Sequence, residues 1–193
     1  RVPWNPMRIR IRAAVLLVVF LVAAARVAPA QEAPPGVLPL DEFSPVFLGM
    51  YRKLMVIEDD IRRHSRTYGV DFDLARAVCL YESGGNAGLT SGAGARGYFQ
   101  VMPPTYRELR VSTNLEAGVK YLAQMIRQFE REDRAVAAYN GGPGRISRGG
   151  GLPLETLQYV LGVGHYRAVL KQHEVSLRYH AARLQLATVE RGD

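Results

Sequence analysis

Glu82 holds the most chemical promise in this sequence. It follows Val78 by four positions and Leu74 by eight, which turns its carboxyl toward the apolar face of a helix carrying Leu74, Ala77, Val78 and Tyr81. Ser83-Gly84-Gly85 ends that helix directly after it. Burial disfavours a carboxylate, and so does the partial negative charge at a helix C-terminus, so both effects raise its pKa. A carboxyl kept protonated near neutral pH suits a general acid. A lone terminal glutamate is ordinarily exposed, so Glu82 gains weight from what surrounds it. No further Asp or Glu occurs until Glu108. Glycoside cleavage conventionally uses two carboxylates across the scissile bond. Either a distant acid such as Glu116 returns to the site, or the substrate supplies the second function.

Other chemistries find less support. Gly92-Ala93-Gly94-Ala95-Arg96-Gly97 fits the bare dinucleotide pattern, but it lies within a glycine-rich loop and has neither the preceding strand nor the following helix. His64, His165, His173 and His180 have no metal-ligand spacing, and His173-Glu174 lacks the second histidine of a zinc protease, so no metal site is expected. No Gly-x-Ser-x-Gly elbow is present. Cys79, the one cysteine, lies in an apolar helical stretch and reads as a small buried hydrophobe. It excludes an internal disulfide.

Glu82 must be positioned by helices. Phe47 to about Tyr68 mixes Leu48, Tyr51, Leu54, Met55 and Ile61 with charged residues in helical fashion. Asp71 is placed to cap the helix that carries Glu82. Gly84 to Gly97 holds six glycines in fourteen residues and reads as a shaped loop. Asn114 is expected to cap a long helix with Leu115, Gly118, Val119, Leu122, Met125, Ile126 and Phe129 on one side. A short helix from Asp133 through Ala135 to Tyr139 is ended by Asn140-Gly141-Gly142-Pro143-Gly144, and Leu154 to Leu170 is helical. No strand run is evident.

The chain of 193 residues carries a net charge of +7, but the first 30 residues hold five arginines and no acid. The remaining 163 residues carry 20 basic and 18 acidic groups, which gives little support for nucleic-acid binding. Arg8, Arg10 and Arg12 precede an apolar run from Ala13 to Ala25, and Ala28-Pro29-Ala30 follows, so residues 1–30 read as a signal peptide starting at Met7. Thirteen apolar residues are too few to span a bilayer, and no stable membrane span is expected after cleavage. Residues 31–44 contain Pro34, Pro35, Gly36 and Pro39 and read as a Pro-rich linker; 45–172 form the catalytic domain and 173–193 an amphipathic helical tail.

Three ordered blocks carry a resemblance: Glu82-Ser83, then Gly94-Ala95-Arg96-Gly97-Tyr98-Phe99-Gln100-Val101-Met102-Pro103, then Ala138-Tyr139-Asn140-Gly141-Gly142-Pro143-Gly144. Together they resemble the soluble lytic transglycosylase (SLT) family. Asn114-Leu115-Glu116-Ala117-Gly118 and Leu152-Pro153-Leu154-Glu155-Thr156, with Tyr159-Val160, look like its later helices, so the resemblance covers roughly 68–170. It implies a mainly α, lysozyme-like (goose-type lysozyme) domain with little or no β-sheet. The implied activity is cleavage of the MurNAc-β-1,4-GlcNAc bond of peptidoglycan without water, leaving a 1,6-anhydromuramic end. Glu82 would be acid and then base, with the muramic acetamido group and C6 hydroxyl completing the chemistry and no cofactor required. The implied supporting residues are Ser83, Gln100, Tyr139, Asn140 and Tyr159. Each also has a structural reading: a helix end for Ser83, backbone satisfaction for Gln100, a turn for Asn140, core aromatics for the tyrosines.

This sequence departs from the family pattern at Tyr98-Phe99, where Leu-Met is common, and at Gly84-Gly85, where a bulkier residue is usual. Both are expected to flank the sugar cleft. The interval from Pro103 to Asn114 is also short. The resemblance and the export signal imply peptidoglycan glycan strands as partner in the periplasm or cell envelope. A role in opening the wall for a secretion or appendage machine is compatible with so short a chain. The competing functions are a lysozyme-like muramidase, with water replacing the C6 hydroxyl, and a non-catalytic wall-binding or assembly protein.

Overall fold

The computed structural model describes residues 33–191, with side chains through Leu184. The expected signal peptide and its Met7 start lie outside the described residues. The compact unit begins at Val37. Its helices are α1 (Pro45–Tyr68), α2 (Phe72–Ser83), α3 (Pro103–Leu109), α4 (Asn114–Phe129), α5 (Glu132–Gly141), α6 (Pro143–Ser147) and α7 (Leu154–Arg191), preceded by a 3-10 turn at Leu40–Glu42. No strand occurs among the described residues, only isolated bridges pairing Arg96 with Thr90 and Val101. No described helix is long and apolar enough to cross a membrane.

Helix α2 is central, packed between α1 and α7. Asp71 caps it by accepting the Leu74 N–H at 2.8 Å. Leu74, Ala77, Val78 and Leu80 are buried against Tyr51, Leu54 and Ile61 of α1 and Val163 and Leu170 of α7. Helix α4 closes the other side, packing on α1 and α5. The N-cap of α4 is Thr113, whose hydroxyl accepts the Glu116 N–H at 3.1 Å, and not Asn114 as the sequence suggested. Both residue types cap well; Asn114 instead lies one position inside, its Oδ1 buried against Gly97.

The two glycine departures serve packing. Gly84 ends α2 in the left-handed region at φ 59°, its N–H donating to Leu80 O. Gly85 follows at φ 77°, and a Cβ there would lie 3.0 Å from Lys53 Cβ and 3.1 Å from Leu54 N. Both are buried against α1 and away from the cleft, contrary to expectation. Phe99 is likewise a core residue, fully buried on Gly118 of α4, where any side chain would collide with its ring.

Two features extend the domain past its expected limits. Leu38 N–H donates to Ser176 Oγ at 2.9 Å, Leu38 O pairs with His180 Nε2 at 2.7 Å, and Phe43 is buried beside His173 and His180. Part of the expected 31–44 linker is therefore seated on α7. The expected tail continues α7 beyond a kink at His173 (φ −121°, ψ 18°). There Glu174 and Arg178 join Glu58 of α1 and the buried Arg76 of α2 in one ion cluster. Arg76 reaches Glu58 at 2.6 Å and Glu174 at 2.8 Å, and Arg178 reaches Glu58 at 2.7 Å.

Candidate active site

The C-terminal turn of α2 delivers Glu82 to a cleft of about 610 Å³. The glycine-rich loop forms one wall through Leu89, Ser91 and Gln100, and α5 the other through Tyr139 and Asn140. Burial pushes the Glu82 carboxyl up to about 7, against the Tyr159 hydroxyl, which donates to its Oε1 at 2.7 Å and favours the charged form. A group poised near 7 can both give and take a proton under neutral conditions.

Tyr159 and Thr156 lie three residues apart on one face of α7. Tyr159, only 2% exposed, reaches Glu82, while Thr156 donates to Asn140 Oδ1 at 2.9 Å and fixes that side chain at the cleft. The Tyr159 ring packs edge-on to Tyr81 at 4.9 Å, and burial holds its hydroxyl well above the usual phenol range. It therefore serves Glu82 as a neutral donor.

Tyr139 lines the cleft with its ring, but its hydroxyl donates to Phe99 O at 2.8 Å and so braces the loop. Gln100 adopts φ 46°, and its amide donates to Leu89 O at 3.0 Å and Gly97 O at 2.9 Å. Those bonds hold the loop closed while Gln100 still lines the cleft. Ser83 Oγ lies 2.8 Å from Tyr98 O and accepts the Asn86 N–H at 3.2 Å, tying the end of α2 to the loop. Of the six residues singled out by sequence, Glu82, Gln100, Tyr139 and Asn140 line the cleft; Tyr159 touches the acid from behind, and Ser83 holds the loop.

Glu116 does not return to this site. It accepts Tyr68 OH at 2.6 Å and the Ser112 N–H at 3.2 Å on the far side of α4. The second carboxylate in the cleft wall is Glu155, in the first turn of α7. Sequence reasoning gave it no role, although it adjoins Thr156 and sits four residues before Tyr159. No nearby carboxylate contributes to the displaced acidity of Glu82, which arises from burial. Cys79 is fully buried and its thiol is pushed up to about 12 by burial, which leaves it chemically inert. Among the described residues no group of His, Cys, Asp or Glu is arranged to hold a metal ion.

A helical domain with one half-buried glutamate at the end of its central helix, facing a loop-walled cleft, is lysozyme-like in class. Residues 59–153, just under half of the chain, match the family described as Transglycosylase SLT domain. It is 32% identical over 109 residues to the soluble lytic murein transglycosylase of Salmonella typhimurium, covering 48% of this chain and 17% of that protein. It is 33% identical over 91 residues to the transglycosylase of Enterobacteria phage PRD1, covering 44% of this chain and 34% of that one. The chain thus spans well under two thirds of either relative. Among solved structures, the inactive glutamate-to-glutamine variant of lytic transglycosylase Slt from Pseudomonas aeruginosa matches at TM-score 0.52 and 27% identity, over 60% of this chain and 24% of that one. The 70 kDa soluble lytic transglycosylase of Escherichia coli matches in fold at TM-score 0.55 and 24% identity, over 70% and 29%.

Proposed function

We propose that the protein is an exported peptidoglycan lytic transglycosylase acting in the cell envelope, with Glu82 as its single acid and base. The observation that carries this reading is a glutamate poised near pH 7 by burial, hydrogen-bonded by Tyr159 and opening on a cleft walled by Gln100, Tyr139 and Asn140. Protonated Glu82 gives its proton to the glycosidic oxygen while the neighbouring acetamido group of the muramic sugar stabilises C1. The resulting carboxylate, held by the Tyr159 hydroxyl, then takes the proton of the C6 hydroxyl as that oxygen closes on C1. The nucleophile is part of the substrate, so its attack is intramolecular and no second protein carboxylate is needed. The SLT domain and the transglycosylase relatives support the same chemistry.

Glu155 in the cleft wall favours a second reading, a muramidase in which this carboxylate activates water. The two separate by product. Digestion of purified peptidoglycan, followed by mass analysis of the fragments, is expected to give 1,6-anhydromuramic ends with the native protein and none with Glu82→Gln. Reducing ends lost in Glu155→Gln would establish the muramidase. No fragments from the native protein, with equal wall binding by Glu82→Gln, would point to a binding or assembly role.

A further inference from the structure

A second cavity of about 680 Å³ opens beside the cleft. Both are lined by α5 and by the first turn of α7, the cleft taking Tyr139, Asn140 and Glu155 and the cavity Arg134, Ala137 and Leu157. Glu155 faces the cleft and Leu157 the cavity, two residues and about 200° apart on α7. Three arginines line this cavity, Arg134, Arg145 and Arg148. Its acidic side chain, Asp133, is already held by Arg131, Nη2 to Oδ2 at 2.7 Å. Arg134 is partly engaged, donating to Ile146 O at 3.2 Å and lying over the Phe129 ring. Arg145 and Arg148 are exposed and pair with no carboxylate among the described residues. The opposite wall is apolar: Leu152 and Leu157 are 42% and 43% exposed there, next to Val160.

Unpaired guanidinium groups beside exposed leucines fit a ligand that alternates carboxylates with aliphatic groups. Guanidinium forks match carboxylates in pairs, and the leucines would gain nothing from a phosphate polymer. We propose that this cavity is a binding site for a short acidic peptide, with Arg145 and Arg148 gripping its carboxylates and Leu152, Leu157 and Val160 covering its aliphatic parts. Resting on the glycan-cleaving reading, the peptide is the acidic stem carried by the strand in the neighbouring cleft. The site would then select strands that still bear their stems.

The test has two arms, both with the full chain. In the first, the free tripeptide L-alanyl-γ-D-glutamyl-meso-diaminopimelate is titrated into native protein and into the Arg145→Ala/Arg148→Ala variant. The variant is expected to bind roughly tenfold or more weakly, as loss of charge-assisted bonds predicts, with unchanged thermal unfolding. In the second, strands with intact stems are compared with strands stripped by an amidase. Cleavage of intact strands is expected to fall roughly tenfold in the variant and cleavage of stripped strands to stay the same. No peptide binding by native protein, equal binding by the variant, or equal losses on both strands would overturn the proposal. So would displacement of the peptide by inorganic polyphosphate at lower concentration than by the peptide itself. Native protein that cleaves neither strand would refute the glycan-cleaving reading instead, and the titration alone would then decide the peptide site.

Discussion

Glu82→Gln is expected to stabilise the fold, and to do so only above a definite pH. The glutamine keeps the shape and can still accept the Tyr159 hydroxyl, but it never ionises. In the native protein the carboxyl titrates near 7, against an ordinary value of 4.5. Below 4.5 both folded and unfolded chains hold the proton, and the carboxyl costs nothing. Between 4.5 and 7 the unfolded chain releases its proton while the folded chain retains it, so stability falls as pH rises. Above 7 the full cost remains. A displacement of this size corresponds to about 3 kcal/mol, and partial solvation of the half-buried group brings the working range to about 1–3 kcal/mol. For a chain of this length that is roughly 3–10 °C in Tm. Thermal unfolding of both proteins from pH 4 to 8.5, a span of roughly the titration range and its flanks, should show a difference that grows between 4.5 and 7 and is flat beyond. Taking the difference cancels every group the two proteins share. A constant gap across that range would refute the burial argument for Glu82, and with it the physical basis of its assigned role.

Two further substitutions probe how the acid is held. Tyr159→Phe removes a bond that favours the carboxylate, so the pKa of Glu82 should rise further and the alkaline limb of the pH–rate profile should move to higher pH. Loss of the positioning bond should also lower the peak rate roughly tenfold, and an unmoved limb would show that Tyr159 merely packs. Arg76→Met leaves Glu58, Asp73 and Glu174 without their shared cation, which should cost about 3–5 kcal/mol and lower Tm by roughly 10 °C. A loss below about 1 kcal/mol would mean that water or Arg178 already satisfies the cluster.

The sequence made α1, α2 and α4 legible because each carries an apolar face over several turns. Helices α3 and α6 escaped it, since seven and five residues are too short to display a period, and α3 opens on two prolines and α6 on one, which read equally as loop. The kink at His173 has no proline or glycine to announce it. In the site, the spacing from Val78 to Glu82 was enough to place the acid half inside. The bond from Tyr159 spans 77 positions, and nothing local separates a core tyrosine from one that touches the acid. Tyr98-Phe99 misled for a related reason: a departure within a motif is visible in sequence, but only Gly118, across on α4, shows that Phe99 turns inward.

The acid and its partner are also far apart in time. Glu82 is synthesised well before α7, the helix that buries α2 and brings Tyr159 to its carboxyl. Until α7 docks, Glu82 is an ordinary solvated glutamate, ionised at neutral pH and unable to donate a proton. On the proposed function, the acid therefore has no potency of its own in the nascent or unfolded chain. Acquiring the fold and acquiring the reactivity proposed for Glu82 are then one event.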